Sequence, residues 1–544
     1  GARAWNMGAG ATAAPAGSTG SRDVFGGPIL SVKPRGMNAN WTLDDVDLVR
    51  LDKLASRIAI ILKPGDLIAL EGPLGAGKTT FARALIARLG AGGEVPSPSF
   101  ALVQSYETER FPIHHCDFYR VEPAEIEELG IEDLLDGGVA ILEWADRARD
   151  WLPADRLDIA IDETAEPNLR RLVLTGQGTW GARLTRLREL CIFLNETDYA
   201  EAASDYLQGD ASARGYARLK LGRRDAILMN SPKAPDGPPI RDGKPYSQLV
   251  HLAEDVTPFV AVAGALRERG LSAPAIYAFD LSRGFIVLED LGDTTFKRAL
   301  DSGSTMHELY GAAVDVLLAI AGQPQSEILP IEGGGPYRLS HYDADALLTE
   351  ATLVIDWYWP ALHGKPTPEA VRKEFSRLWQ TLLKDAAAED QTLVLRDYHS
   401  PNLMWLEKRE GLRKVGILDF QDALIGCAAY DLVSLLQDAR LDVPEALEAE
   451  HLARYCAARS AKTKQFSSDR FQTLYATLGV QRNSKILGIF ARLAKRDGKR
   501  GYLAHIPRVA RYLARDLDHP ALAELKAWYG RELPDAEALP ALSI

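Results

Sequence analysis

The chain has 544 residues, enough for more than one domain, and its 46% hydrophobic and 25% charged composition is that of ordinary globular protein. A formal charge of −12 argues against a surface dominated by phosphate-binding Lys and Arg. Four scattered cysteines without a CxxC pair suggest neither a disulfide framework nor a zinc site, and no apolar run approaches the ~18 residues of a membrane span, so a cytoplasmic chain with no membrane partner is expected.

Residues 1–36 are rich in Gly, Ala, Ser and Pro and read as a disordered or artificial arm, with Met37 a natural start. From Trp41 a helical pattern in Val49, Leu51, Leu54 and Ile58 leads to the turn Lys63-Pro64-Gly65-Asp66 and the apolar strand Leu67-Ile68-Ala69-Leu70. Next come Glu71-Gly72-Pro73-Leu74-Gly75-Ala76-Gly77-Lys78-Thr79-Thr80 and a helix with Phe81, Leu85 and Leu89 on one face. Strand, glycine loop and helix in this order form a phosphate cradle. Gly72, Gly75, Ala76 and Gly77 turn their N–H groups inward, Lys78 reaches the outer phosphate oxygens, Thr79 sits on Mg²⁺, and Thr80 completes the nucleotide-binding run.

The loop Val95-Pro96-Ser97-Pro98-Ser99-Phe100 is either a γ-phosphate sensor or a turn fixed by two prolines, followed by a strand from Ala101 to Val103. The segments His114-His115-Cys116-Asp117-Phe118-Tyr119-Arg120 and Val139-Ala140-Ile141-Leu142-Glu143-Trp144 each offer an acid on an apolar run. Asp117 and Glu143 are therefore expected as metal and catalytic residues, ligands for Mg²⁺ and an attacking water. His114 and His115 read as a surface pair.

These motifs, with the Glu128-Leu129-Gly130 turn, resemble the ATPase subunit (TsaE type) of the bacterial machinery that makes threonylcarbamoyladenosine on tRNA, from about Trp41 to Trp180. The resemblance implies a small P-loop domain that hydrolyses ATP when docked on the other subunits, with Asp117 and Glu143 at the hydrolytic centre and any tRNA contact indirect. Two positions depart from the family: Pro73 replaces the usual Asp and Ser99 the usual Thr. Nucleotide binding is expected to survive both.

Strands over Leu157–Ile161 and Arg171–Leu174 and the turn Gly176-Gln177-Gly178 close this unit, and a helix is expected from near Arg183. The expected domains are 37–182 and 183–544, joined by a short linker and able to touch. The second opens with Gln208-Gly209-Asp210-Ala211-Ser212-Ala213-Arg214-Gly215, a turn of small and polar residues that can fold over phosphates, with Asp210, Ser212 and Arg214 as nucleotide contacts. Ala226–Met229 is the strand that follows. Phe285-Ile286-Val287-Leu288-Glu289-Asp290-Leu291-Gly292 resembles a kinase hinge, with Glu289 and Leu291 beside the adenine.

Leu395-Arg396-Asp397-Tyr398-His399-Ser400-Pro401-Asn402 and Ile417-Leu418-Asp419-Phe420 complete the set. In phosphoryl transfer to an alcohol, Asp397 takes the hydroxyl proton as catalytic base while Asn402 and Asp419 hold Mg²⁺. His399 reads as a packing residue and Asp431 as a brace for the loop.

These motifs resemble the aminoglycoside phosphotransferase and choline kinase class, and most closely the anomeric kinases for N-acetylmuramate and N-acetylglucosamine of cell-wall recycling, over about Arg183 to Leu525. Met229 stands where a strand lysine normally meets the phosphates, which leaves Arg214, Arg218 and Lys233 as candidate substitutes. The basic segment Arg482–Arg500 reads as an amphipathic helix; a sharper reading pairs Arg482 or Arg492 with the lactyl carboxylate of N-acetylmuramate. Trp357 reads as a core residue, with stacking on the sugar the sharper alternative.

The expected architecture is thus an α/β P-loop domain followed by an α+β bilobal protein-kinase-like domain, with ATP at two sites, Mg²⁺, and an amino sugar acceptor. The alternatives are an ATP-binding regulatory second domain without phosphoryl transfer, or a kinase for another small alcohol.

Overall fold

The structure, a computed structural model, describes residues 39–91, 102–207, 214–233, 235 and 237–533. The arm at 1–36, the loop carrying Ser99, and Asp210 and Ser212 lie outside the described residues.

The chain opens with strand β1 (Ala39–Val46), helix α1 (Leu48–Ala59), strand β2 (Leu67–Glu71) and helix α2 (Lys78–Arg88). Strands β3 (Val103–Tyr106), β4 (Ile113–Asp117), β5 (Val139–Glu143), β6 (Arg156–Glu163) and β7 (Arg170–Gln177) complete a seven-stranded sheet in the order β1-β7-β6-β2-β5-β4-β3. β2 runs parallel to β5 and β6, and β4 to β5, which puts the ends of β2, β4 and β5 along one edge beside α2. Brought together there are the glycine loop, Asp117 and Glu143. The P-loop strand is buried along Leu67–Leu70, as a central parallel strand must be.

Two local expectations need correction. Trp41 begins in an edge strand, since Ala39, Trp41 and Leu43 alternate onto the core; the helix starts only at Leu48, where Asp47 accepts the N–H of Arg50 at 2.8 Å. β3 begins at Val103 rather than ending there.

A third correction concerns the join. Helix α3 (Trp180–Asn195) starts before Arg183 and runs unbroken through the expected boundary at 182/183, so no linker separates the halves. Trp180, Leu184 and Leu187 pack in the core of the first sheet, and Leu190, Phe193 and Leu194 pack in the next. Burying each of the last three stabilises that core by about 1.5–3 kcal/mol relative to exposure.

The second sheet contains β8 (Ala203–Leu207), β9 (Gly215–Lys220) and β10 (Ala226–Asn230), followed outward by the strands Phe285–Glu289 and Ile276–Asp280. α1 of the first domain grips the approach to β8: Lys53 pairs with Glu201 at 2.7 Å, Arg57 donates to Ala200 O at 3.0 Å, and Ser56 Oγ accepts the N–H of Ser204 at 3.2 Å. Arg110, anchored on Ala59 O and Leu62 O, stacks its guanidinium on Tyr206, 3.7 Å from the ring centroid. On the other side Arg186 of α3 donates two bonds to Asn230 Oδ1, at 3.0 and 2.6 Å.

The remaining lobe is mainly helical and centred on one long helix, Ser468–Asp497, capped by Ser467 and ended by left-handed Gly498. Gly488 lets it approach closely, since a Cβ there would lie 2.3 Å from the carbonyl carbon of Leu353. Leu353 leads into a π-helical turn, Val354–Tyr358, in which Trp357 packs half-buried against the core.

Candidate active sites

At the first site the loop backbone is forced to be glycine. Gly72 has φ 139°, and a Cβ on it would meet Ile161 O at 2.2 Å; Gly77 has φ 112° where it opens α2. The free N–H groups of the helix start face the loop, a ready anion site. Ala76 is buried, and its carbonyl accepts Arg170 Nε at 2.8 Å, while Thr80 is exposed on the first turn.

Lys78 folds back onto this loop, donating to Gly72 O at 2.8 Å and Pro73 O at 2.9 Å, with Nζ 3.5 Å from the ring centroid of Trp144. Burial pushes its pKa below the ordinary lysine value, against the pull of Glu143, Asp117 and Asp146. Pro73 lacks a donor, yet its carbonyl, accepting from Ala76 N as well as Lys78, still shapes the loop.

Thr79 Oγ1 donates to Glu143 Oε2 at 2.7 Å, and Glu143 Oε1 meets His115 Nε2 at 2.9 Å. His115 is therefore no surface residue: it and Glu143 are both buried. Alternation along β4 could have found it, because His115 lies two residues before Asp117 and shares its face. Asp117, in register with Glu143, accepts the N–H of Tyr119 at 3.0 Å. Thr79, Asp117 and Glu143 are hard oxygen donors of the kind Mg²⁺ takes. Among the described residues no three His, Cys, Asp or Glu side chains are grouped to hold a metal by themselves, so phosphate and water oxygens would have to complete the shell.

At the second site Asp397 sits at the tip of a braced loop. Arg396 has φ 68°, and its N–H and that of Leu395 are held by Asp431 at 2.9 and 2.6 Å, the bracing role expected of that acid. Burial drives the Asp431 carboxyl up to about 7. Asp397 accepts Asn402 Nδ2 on its backbone carbonyl at 3.0 Å, and its side chain is 40% exposed. Burial raises its pKa, but Lys485 first, then His399, Arg396 and Arg482, outweigh that and hold the carboxyl below the usual aspartate range.

Asp419, also left-handed with φ 56°, accepts Arg214 Nη1 and Gln421 Nε2 on Oδ1, both at 2.9 Å, while Asn402 Nδ2 lies 3.5 Å from Oδ2. Burial and the nearby Asp397 raise its pKa. Asp397, Asn402 and Asp419 are thus brought together. Of the three candidate basic residues, Arg214 reaches this centre, Arg218 is tied to Asp290 and Asp293 at 2.6 and 2.8 Å, and Lys233 is exposed; Met229 is buried in the core.

Glu289 ends its strand, with its N–H on Ala275 O at 2.8 Å and its carboxylate on Arg409 at 2.5 Å; Leu291 lies two residues on, half-buried.

No motif pointed to the buried cluster beneath Asp397. Glu350 accepts Lys485 Nζ at 2.8 Å and also bonds Arg396 and Tyr342. Burial alone would raise its pKa, but Lys485 and then Arg396 reverse this and hold it at about 2. A folded-state value below the unfolded one contributes stability above the unfolded pKa of ~4.3, lost as pH falls towards the folded value. Glu350→Gln is expected to cost about 3–5 kcal/mol near neutral pH, because it strands two buried cations. The difference should shrink as pH falls from about 4 towards about 2, because the unfolded chain takes up the proton first and the folded carboxyl only near its own low value. Melting curves of both proteins across this range check it, and a gap independent of pH would contradict the assignment.

Residues 47–172 match the family described as threonylcarbamoyl adenosine biosynthesis protein TsaE, and residues 206–465 the phosphotransferase enzyme family. The chain is 40% identical over 351 residues to the N-acetylmuramate/N-acetylglucosamine kinase of Caulobacter vibrioides, covering 63% of this chain and 95% of that protein. It is 37% identical over 146 residues to the TsaE protein of Bacillus subtilis, covering 27% of this chain and 87% of that protein. The chain belongs to both families. It is an enzyme with a TsaE part and a phosphotransferase part, the first an α/β P-loop domain and the second an α+β bilobal domain, each of an ATP-using family. The two family matches stop at 172 and start at 206, so α3, which both cores share, falls between them. Among the described residues no helix is long and apolar enough to cross a membrane.

Proposed function

We propose that the phosphotransferase part moves the γ-phosphoryl group of ATP to the anomeric hydroxyl of an amino sugar of the N-acetylmuramate and N-acetylglucosamine type, as in cell-wall recycling. The TsaE part hydrolyses ATP in support of threonylcarbamoyladenosine formation on tRNA, docked on partner subunits. The observation that carries the kinase half is the convergence of Asp397, Asn402 and Asp419 at one place. Its relatives' names supply the acceptor.

Asp397 accepts a hydrogen bond from the acceptor hydroxyl and takes its proton as the new O–P bond forms and the bond to the bridging oxygen of ADP breaks. Its depressed pKa keeps it ionised for this. Asn402 spends its Nδ2 on the Asp397 carbonyl, which leaves Oδ1 for a cation, and Asp419 already carries a cationic partner in Arg214. These two residues would hold Mg²⁺, which neutralises charge on the phosphates when bound. Arg214 supplies positive charge at the phosphate end in place of the lysine missing at Met229. Glu289 and Leu291 present backbone to the adenine, with Arg214 at the phosphates. At the first site the residues from Gly72 to Thr80 cradle a second nucleotide, and Thr79, Asp117 and Glu143 would hold its Mg²⁺.

The test is phosphorylation of a panel of N-acetylmuramate, N-acetylglucosamine, choline and aminoglycosides with Mg-ATP, the products read by phosphorus NMR. A sugar 1-phosphate from an amino sugar is expected. The buried Met229 supports one of the two alternatives, a regulatory ATP-binding domain, which transfer to no acceptor while ATP still binds would favour; transfer to choline or an aminoglycoside would favour the other.

A further inference from the structure

The long helix carries Arg482, Lys485 and Arg492 at spacings of three and seven residues, which places them on one side of it. Lys485 has its counter-charge in Glu350. Arg492 lies toward the helix's far end, its guanidinium 5.8 Å from the ring centroid of Tyr246 and its charged neighbours Arg496 and Asp497. Arg482 is the more buried of the two arginines. It is only 5% exposed, its side chain makes no hydrogen bond or ion pair with any described residue, and its Nη1 is buried without a partner; Arg492 Nε is unpartnered as well, but that residue is half-buried. Arg482 lies one turn from Lys485, whose partner Glu350 also bonds Arg396, the residue next to Asp397, and its charge acts on Asp397 and His399.

A lone guanidinium taken out of water costs several kcal/mol unless an anion and hydrogen bonds offset it. Of the acids nearby, Asp431 is committed to two backbone N–H groups and Asp438 to the N–H and hydroxyl of Ser400, while Asp397 is the carboxylate kept free for the acceptor hydroxyl. The missing partner is therefore expected to arrive with the acceptor, whose ring must lie beside Asp397 when its hydroxyl does.

We propose that Arg482 binds a carboxylate carried by the sugar and so sets preference between the acidic N-acetylmuramate and the neutral N-acetylglucosamine. This rests on the amino sugar reading above. Where the sequence left Arg482 and Arg492 equivalent, the structure assigns the role to Arg482: a planar fork matches a carboxylate bidentately, and of the two forks this one is buried and one turn from the Lys485–Glu350–Arg396 cluster that adjoins Asp397, whereas Arg492 lies two turns beyond Lys485.

The test compares kcat/KM for both sugars in wild type, Arg482→Gln, Arg482→Lys and Arg492→Gln. Losing one partner of a buried charged pair costs 2 kcal/mol or more, so Arg482→Gln should lose about 30-fold or more on N-acetylmuramate and far less on N-acetylglucosamine. Arg482→Lys should fall between, keeping charge but not the fork, and Arg492→Gln should leave the ratio of the two sugars unchanged. If Arg482→Gln fails to fold, Arg482→Lys carries the same comparison. Equal losses on the two sugars, or a selective loss in Arg492→Gln, overturn the assignment alone. A wild type inactive on both sugars overturns the amino sugar reading and the assignment with it.

Discussion

Replacing Asp397 with alanine is expected to slow phosphoryl transfer on the order of 10²-fold or more, the contribution typical of a positioned general base. The carboxylate accepts no hydrogen bond from any described residue, and His399 Nε2, on an imidazole that burial pushes towards its neutral form, lies 4.0 Å away. Removing it therefore breaks no structural bond, and melting temperature should change little while kcat collapses. The loop stays in place because Asp431 grips its backbone and Asn402 grips the carbonyl of residue 397, both untouched by truncation. Rates at saturating ATP and sugar, with a melt and a nucleotide-binding measurement beside them, check this. Retention of the rate within a few-fold would show that the base lies elsewhere. The native enzyme should also keep its activity down to acidic pH, since the cations around Asp397 hold its proton affinity low.

Lys78→Ala is expected to abolish tight nucleotide binding at the first site and leave sugar phosphorylation intact. Lys78 is the one loop side chain built to reach phosphate oxygens, and it now shares its proton donors between Gly72 O and Pro73 O. A bound triphosphate would draw it off these carbonyls into charge-assisted bonds, worth about 1.5–3 kcal/mol, so its loss should weaken affinity roughly 10- to 100-fold. Titration with a fluorescent ATP analogue reads this without any partner subunit: wild type should show two classes of site, Lys78→Ala one, and Asp397→Ala still two. A Lys78→Ala protein that keeps both classes would remove the P-loop from the nucleotide's contacts. Loss of sugar phosphorylation in the same protein would contradict the independence of the sites.

Both centres were legible because their residues answer to local constraints. A backbone that turns at φ 139° against Ile161 O must be Gly72 whatever surrounds it, and Asp397 and Asn402 lie on one short loop whose spacing the chemistry fixes. What escaped depends on facing rather than on spacing. His114 and His115 are adjacent but point to opposite sides of β4, and only the second turns to Glu143. Glu350 and Lys485 come from distant helices and meet only once the lobe has packed. β1 was hidden because Asp44 and Asp45 interrupt its alternation: the register shifts between Leu43 and Val46, and Asp45 is left-handed.

The unbroken helix α3 also bears on how this chain is born. Trp180, Leu184 and Leu187 are needed to finish the first core, so that core cannot close until the ribosome has released residues that lie past the last strand of its own sheet. Once they dock, Leu190, Phe193 and Leu194 are presented to water on an already rigid element, awaiting strands from Ala203 to Glu289. The nascent first domain thus carries a preformed apolar template on which the second sheet assembles, and a polypeptide ending near Asn195 would leave that template uncovered and open to aggregation.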